Sequence, residues 1–235
     1  MAEEDQRRLH RERERLLKER GSHSARIKAL LVAHGVRLKL GADFLHQLDA
    51  ARGGLGDALG SDLKAELVRE YARWRLVDEQ LRGVEAAQKA RAKAGADEAM
   101  RQVQGLRHLK GVGWQSSWVL VMEFFAWRAF RNQRQVAACA GLTPTPYASG
   151  EREREQGISK AGNRRVRTLM IELSWLWLRY QPGSALSRWF QRRFGGGGKR
   201  LRRIGIVALA RKLLIALWRY ASDGVIPAGA ELKAV

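Results

Sequence analysis

The sequence predicts an all-α protein, a long helical hairpin or coiled coil followed by a compact helical domain. Three observations lead there. Apolar residues recur at three- and four-residue spacing along two long, highly charged stretches. Past Leu106, shorter stretches with the same period are separated by glycine-containing breaks. No segment offers a convincing strand, and no internal repeat is visible.

The first helix is expected from about Gln6 to Val32, with Leu9, Leu16, Leu17, Ile27, Leu30 and Leu31 as a thin apolar stripe among interleaved Glu and Arg residues. Gly35 and the Gly53-Gly54-Leu55-Gly56 stretch then mark a loop region with short helical pieces. A second long helix is expected from about Ser61 to Gly105. Its Leu67, Tyr71, Trp74, Val77, Leu81 and Val84 follow steps of four, three, three, four and three. That is the seam of a helical hairpin or coiled coil. An interface with another chain is the favoured reading of this seam, and pairing with the first helix is the alternative.

A domain boundary is placed near Ala99 to Gly105, giving a charged long-helix region over 1–105 and a second domain over 106–235. In the second domain, Leu106 to Trp127 reads as helix, tight turn, helix, and Ala129 to Ala140 as another helix. Gly141 to Gly162 reads as an irregular loop and Asn163 to Tyr180 as a strongly amphipathic helix. A short helix over Ser184 to Phe194 and a last one from about Ile204 to Ser222 complete it.

Composition narrows the function. The 235 residues carry 44 Lys and Arg against 24 Asp and Glu, a net charge of +20. Such a field costs the folded state self-repulsion, so a polyanionic partner is its natural explanation. A basic protein that touches nothing acidic is the bland alternative. The single cysteine, Cys139, excludes a disulfide framework and a Cys-rich zinc site, and the five histidines form no metal-ligand pattern. The charged N-terminus does not read as a signal peptide, and Glu123 and Arg211-Lys212 break the longest apolar runs, so no membrane span is expected. These features fit a reducing cytoplasm.

Four features could carry chemistry. In Leu109-Lys110-Gly111-Val112-Gly113 the two glycines suit a helix-hairpin-helix turn, where phosphate approaches backbone N–H groups. A plain helical hairpin with a tight glycine turn explains the same residues. Next, the proline-stiffened run Gly141 to Gly150 ends in Ser149-Gly150, a hydroxyl on a backbone that glycine lets bend. Most Ser-Gly pairs are ordinary turns. Third, Gly157-Ile158-Ser159-Lys160-Ala161-Gly162-Asn163-Arg164-Arg165-Val166-Arg167 opens the amphipathic helix. Arginines there oppose the helix dipole, each by a few tenths to about 1 kcal/mol when exposed. An anion at the helix start, held by Lys160, Asn163, Arg164, Arg165 and Arg167, relieves that repulsion. A solvated basic face explains the charge but not its place at the disfavoured end. Last, Arg192 to Arg203 holds four glycines between basic residues, and Lys199, Arg200, Arg202 and Arg203 read as an arm for a nucleic-acid backbone or as a mobile loop. Trp118, Trp175, Trp177 and Trp218 read as core, and Trp114, next to the glycine turn, is the tryptophan to test for base stacking.

Beyond Leu106 the acids are Glu123, Glu151, Glu153, Glu155, Glu172, Asp223 and Glu231, with no evident two-metal arrangement. No metal or other cofactor is therefore assigned to this chain.

Together these segments resemble the transposase domain of the insertion-sequence "one-ten" family, the Piv-like DEDD transposases, which include site-specific invertases and bridge-RNA-guided recombinases. The resemblance covers nearly the whole chain. It rests on Asp5 to Arg13 leading to Arg26-Ile27-Lys28, on Leu109 to Gly113, and on Phe130 through Gly141-Leu142-Thr143-Pro144. Ser149-Gly150 and Gly157-Ile158-Ser159-Lys160-Ala161-Gly162-Asn163 with Arg167 complete it.

The resemblance implies a RuvC-like domain whose four acids bind Mg²⁺, then a coiled coil, then this domain with a serine that forms a transient phosphoserine link to DNA. Ser149 matches that serine and Ser159 is the fallback. Met1 stands where a RuvC-like domain would already have ended, so the Mg²⁺ ligands are expected outside this sequence. The implied partners are DNA (element ends and target), a guide RNA in some members, and further copies of the chain through its long helices. The rival expectation is a catalytically inactive nucleic-acid-binding fragment, a remnant or regulator. A pure assembly module is a third.

Overall fold

The computed structural model of the protein describes residues 2–95, 97–149 and 152–233, with side chains at 4–95, 97–144 and 157–233. The chain folds as two compact units, Met1–Lys93 and Ala94–Val235. It is all-α in class, as its periodicity predicts, with one small two-stranded sheet.

The first unit holds α1 (Ala2–Gln6), α2 (Arg8–Ala33), α3 (Phe44–Ala50) and α4 (Ser61–Ala94). The apolar stripe of α2 meets the seam of α4 within the chain. Ile27 and Leu31 share a buried cluster with Leu67, Tyr71, Phe44 and Leu48, and Leu16 packs with Val77 and Leu81. Charged side chains flank the seam in antiparallel order, Arg13 with Glu85 at 2.8 Å and Arg20 with Asp78 at 2.7 Å. Glu70, almost fully buried, accepts from Arg26 at 3.2 Å and Arg73 at 2.6 Å and faces His23 Nδ1 at 2.7 Å. Much of the interleaved charge is therefore matched across this helix pair.

The long second helix expected to reach Gly105 stops earlier. Gly95 adopts a positive φ of 59°, the conformation that ends helices, and Asp97 opens a new one by accepting from the Met100 amide at 2.8 Å. The second unit then runs α5 (Glu98–His108), α6 (Trp114–Leu120), a single π-helical turn Val121–Phe125, and α7 (Gln133–Cys139). After these come β1 (Pro144–Ser149), β2 (Arg152–Ile158), α8 (Arg164–Tyr180), α9 (Ala185–Phe194) and α10 (Lys199–Asp223). Helix α10 is the central element and packs on α5, α7, α8 and α9. Its Leu209, Leu213 and Leu217 are buried, as are Val103, Val166, Met170, Leu173 and Trp177 on its neighbours and Trp118 on α6.

Three expectations need correction. The segment Gly141–Gly162 is not irregular throughout: β1 and β2 form an antiparallel hairpin with Pro144 opposite Ile158 and Ser149 opposite Arg152. Its prolines sit in a two-stranded ribbon, where a missing N–H donor costs least. The helix expected from Ala129 begins at Gln133, because Asn132 caps it by accepting from the Gln135 amide at 3.0 Å. The glycine run is a tight turn rather than an arm. Gly195 N donates to Gln191 O at 2.9 Å, Gly197 N to Phe194 O at 3.1 Å, and α10 starts at Lys199. Gly205 lets Phe194 and Phe190 lie against α10, since a Cβ there would stand 2.5 Å from the Phe194 ring. No helix among the described residues is long and apolar enough to cross a membrane.

The Glu70 cluster gives the first unit a pH signature. The hydrogen bond from His23, aided by Arg26 and opposed by burial, holds this carboxyl below its ordinary value of 4.5. Its stabilising effect is complete above that ordinary value and fades as pH falls through the lower folded-state value. Thermal unfolding followed from about pH 6 down to about pH 3 is expected to lose Tm more steeply in wild type than in Glu70→Gln. Equal slopes would remove Glu70 from the account of acid stability.

Candidate nucleic-acid interface

The start of α8 is built by a knot of backbone contacts between three chain segments. Asn163 caps the helix, its Oδ1 accepting from the Val166 amide at 3.0 Å, while its own amide donates to Cys139 O at 2.8 Å. The hairpin base closes alongside, with Ser159 N donating to Thr143 O at 2.9 Å and Lys160 N to Gly141 O at 3.2 Å. Two glycines permit this approach. Gly141 (φ 67°) would place a Cβ 2.5 Å from Ala161 O, and at Gly162 (φ 124°) a Cβ would strike the carbonyl of Cys139. Lys160 is the one non-glycine residue with positive φ (56°) among the described residues. Strain of that kind is held in place by the surrounding contacts.

Arg167 locks the knot. Its Nη1 donates to Lys160 O at 2.9 Å and to Ala140 O at 3.2 Å. This guanidinium thus joins helix α8 to both ends of the hairpin segment. Lys160, Arg164 and Arg165 are exposed around it. Asn163 Nδ2 donates to Glu123 Oε1 at 3.2 Å, and Arg165 Nη1 lies 4.0 Å from the same oxygen. Glu123 is buried on the π-helical turn. The sequence reading passed over Glu123 as a break in an apolar run. Its signal was that isolation, because a lone carboxylate amid Val119 to Phe125 requires partners. The arrangement exposes three cationic side chains at the positive end of a helix dipole, a setting suited to an oxyanion.

Ser159 stands half-buried at the hairpin base, next to Lys160. Ser149 ends β1 opposite Arg152, so the strand register puts it at the far end of the ribbon, about 17 Å along the strand from Pro144. The Ser149 side chain, Gly150 and Glu151 lie outside the described residues.

The Leu109–Gly113 turn joins α5 to α6, with Gly111 at φ 83°. A Cβ on Gly111 would meet Tyr180 Cβ at 3.2 Å and Leu176 O at 3.4 Å, so the turn lies against the end of α8. Gln181 ties it down, donating to Lys110 O at 3.0 Å and Glu231 O at 2.8 Å. Lys233 Nζ donates to Val112 O at 2.8 Å, and burial, then the Arg107 charge, hold this ammonium below its usual range. Lys110 pairs with the Glu231 carboxylate. Gly113 caps α6 in extended conformation. Lys199, Arg200, Arg202 and Arg203 lie exposed in the first turns of α10, a second basic helix start.

The tryptophans divide differently from expectation. Trp118 and Trp177 are buried, the latter donating to Ser184 Oγ at 2.9 Å, but Trp175 is 44% exposed. It falls on the outer side of α8, which an average over an apolar helix conceals. Trp114 is half-buried, with the Arg107 guanidinium 5.1 Å from its ring centre. Among the described residues no three His, Cys, Asp or Glu side chains gather as a metal site.

Two positive-φ glycines separate close approach from conformational freedom. Gly157 (φ 82°) has nothing near its Cβ position, whereas Gly162 has the Cys139 carbonyl. Gly157→Ala should cost about 1 kcal/mol, from backbone strain alone, and Gly162→Ala clearly more than about 2 kcal/mol. Denaturant unfolding of both variants checks this, and equal losses would remove the knot from the account.

Comparison with known proteins agrees with this reading. Residues 103–189, from within α5 to the middle of α9, match the family model for the transposase of the IS116/IS110/IS902 family. The chain is 45% identical to the candidate transposase y4rJ of Sinorhizobium fredii over 98% of its own length and 61% of that protein. It is 31% identical to the Coxiella burnetii transposase for insertion sequence element IS1111A, over 68% of this chain and 43% of that one. Against the Yersinia enterocolitica transposase for IS1328 it is 26% identical over 93% of its length and 63% of the relative. The chain thus spans about three-fifths or less of these relatives. Residues 103–189 thus carry the transposase domain of the IS116/IS110/IS902 family, and the chain is similar to a transposase along nearly its whole length.

Proposed function

We propose that this region grips DNA during transposition and supplies the serine that cuts and rejoins it. The observation that carries the DNA-gripping reading is the exposure of Lys160, Arg164 and Arg165 at the Asn163-capped start of α8. Arginine forks there would hold non-bridging phosphate oxygens, and helix N–H groups add to the field. Lys199, Arg200, Arg202 and Arg203 at the start of α10 would extend the contact along the backbone. At the α5–α6 turn, Lys110 would reach phosphate only by leaving Glu231, with Gly111 and Gly113 as the residues that let a backbone come close.

Ser149 is the proposed nucleophile. Its oxygen would form a bond to phosphorus while the bond from phosphorus to one deoxyribose oxygen breaks. The serine proton goes to a base or solvent, and the departing oxygen leaves as a DNA hydroxyl. Attack by an incoming hydroxyl reverses the step and frees Ser149. The hairpin would carry Ser149 onto DNA held at its base, so that Lys160, Arg164 and Arg165 grip phosphates beside the cleaved one. Arg167 acts as a positioning residue, since its guanidinium is occupied by Ala140 and Lys160. DNA of element ends and target is the proposed partner, a guide RNA would meet the same basic surface, and further copies of the chain would assemble around it. Mg²⁺ would act in a RuvC-like domain.

The spacing of Ser149 from Lys160 along the ribbon favours a second reading, a nucleic-acid-binding region without chemistry of its own. In a complete transposition reaction with labelled element-end DNA, wild type and Ser159→Ala should give a covalent protein–DNA adduct that survives denaturation, and Ser149→Ala none. An adduct from Ser149→Ala would discard Ser149, and its loss in Ser159→Ala alone would move the role to Ser159. DNA binding with no adduct from any chain supports the second reading. Arg164→Ala and Arg165→Ala should each weaken binding and lower the salt slope by about 1.

A further inference from the structure

Helix α8 has two faces of opposite use. Val166, Met170, Leu173 and Trp177 turn toward the core, while Arg164, Thr168, Trp175 and Arg179 fall on the opposite, exposed side. At 100° per residue these four lie within a strip about 60° wide, and it runs about 22 Å from Arg164 to Arg179. Trp175, 44% exposed, stands between the arginines. The Arg179 guanidinium lies 5.4 Å from the ring of Tyr180, which is 47% exposed and rests over the Gly111 turn. Glu172 is the single acid of the helix and is also exposed.

We propose that this strip is a track for an unpaired nucleic-acid strand, with a base stacked on Trp175 and phosphates held by Arg164 and Arg179. The inference rests on the nucleic-acid reading above and adds the kind of strand and the residue that selects it. Charge chooses the occupant. An apolar protein surface would have to desolvate arginines on either side of one indole, whereas a nucleic-acid strand brings a phosphate for each. A duplex hides the faces of its bases, so the indole selects a strand whose bases are open. Glu172, one turn before Trp175, repels phosphate and so favours a base at that point of the track. Strand exchange passes through such unpaired segments.

The test uses single-stranded and duplex oligonucleotides of equal length, with affinity read by fluorescence anisotropy at fixed salt. Trp175→Ala should weaken single-strand binding roughly 5- to 100-fold, and Trp175→Phe should recover most of it. Duplex affinity should change by less than about twofold. Glu172→Gln should tighten single-strand binding. Unfolding temperatures of the Trp175 variants should match wild type, because the side chain is exposed. If Trp175→Ala binds the single strand as wild type does, while Arg164→Ala weakens both ligands, the track is wrong and the DNA-gripping function stands. A change in oligomeric mass without a change in strand affinity would make the strip a protein interface and overturn the proposal. Wild type binding neither ligand would sink both readings.

Discussion

The contact on which the site depends is the Arg167 guanidinium spread over two backbone carbonyls, those of Ala140 and Lys160. A buried or half-buried carbonyl left without a donor costs about 1–3 kcal/mol. One side chain from the first turns of α8 removes that cost at the part-buried Ala140 carbonyl and ties the exposed Lys160 carbonyl to the same helix. Gly141 and Gly162 make the contact possible by letting the segments come nearer than any side chain allows. Asn163 completes it from the other side, capping α8 while bonding to Cys139 and Glu123. The hairpin thus departs from a fixed base, and the cations of the α8 start are presented beside it.

Charge is handled differently in the two units. In the first, acids and bases alternate along α2 and α4 and largely meet one another, with Glu70 drawing His23, Arg26 and Arg73 to one buried carboxylate. The His23 and Arg26 contacts cross from α2 to α4, while Arg73 reaches Glu70 from within α4. In the second, arginines gather at the starts of α8 and α10, where the helix dipole opposes them. Placement at the unfavourable end is what makes the second set suited to an external anion. The proposed function gives that anion an identity, and the local physics gives its place.

The fold was largely legible, because helical periodicity and caps are local signals. Gly95 and Asp97 mark the break between α4 and α5 as plainly as any cap in the chain, but a continuing apolar period masked them. The hairpin was illegible for the opposite reason: two prolines and a charged run suppress strand propensity, and pairing between residues such as Pro144 and Ile158 is not local. Of the site, the motif from Gly157 to Arg167 located the basic helix start. Arg167 also has structural partners, the carbonyls of Ala140 and Lys160, that only the fold brings near. Trp175 was assigned to the core by the company it keeps in sequence, although the phase of α8 turns it outward. Counting its angle against Met170 and Trp177 would have found it.

The central claim is that hairpin base and helix start form one cooperative node held by Arg167. Amide hydrogen exchange, compared between wild type and Arg167→Ala, addresses it directly. The account predicts that protection at Ser159, Lys160 and Asn163, the amides bonded across the node, is lost together in the variant while that of α10 is kept. Protection at those three amides unchanged by the substitution would contradict it.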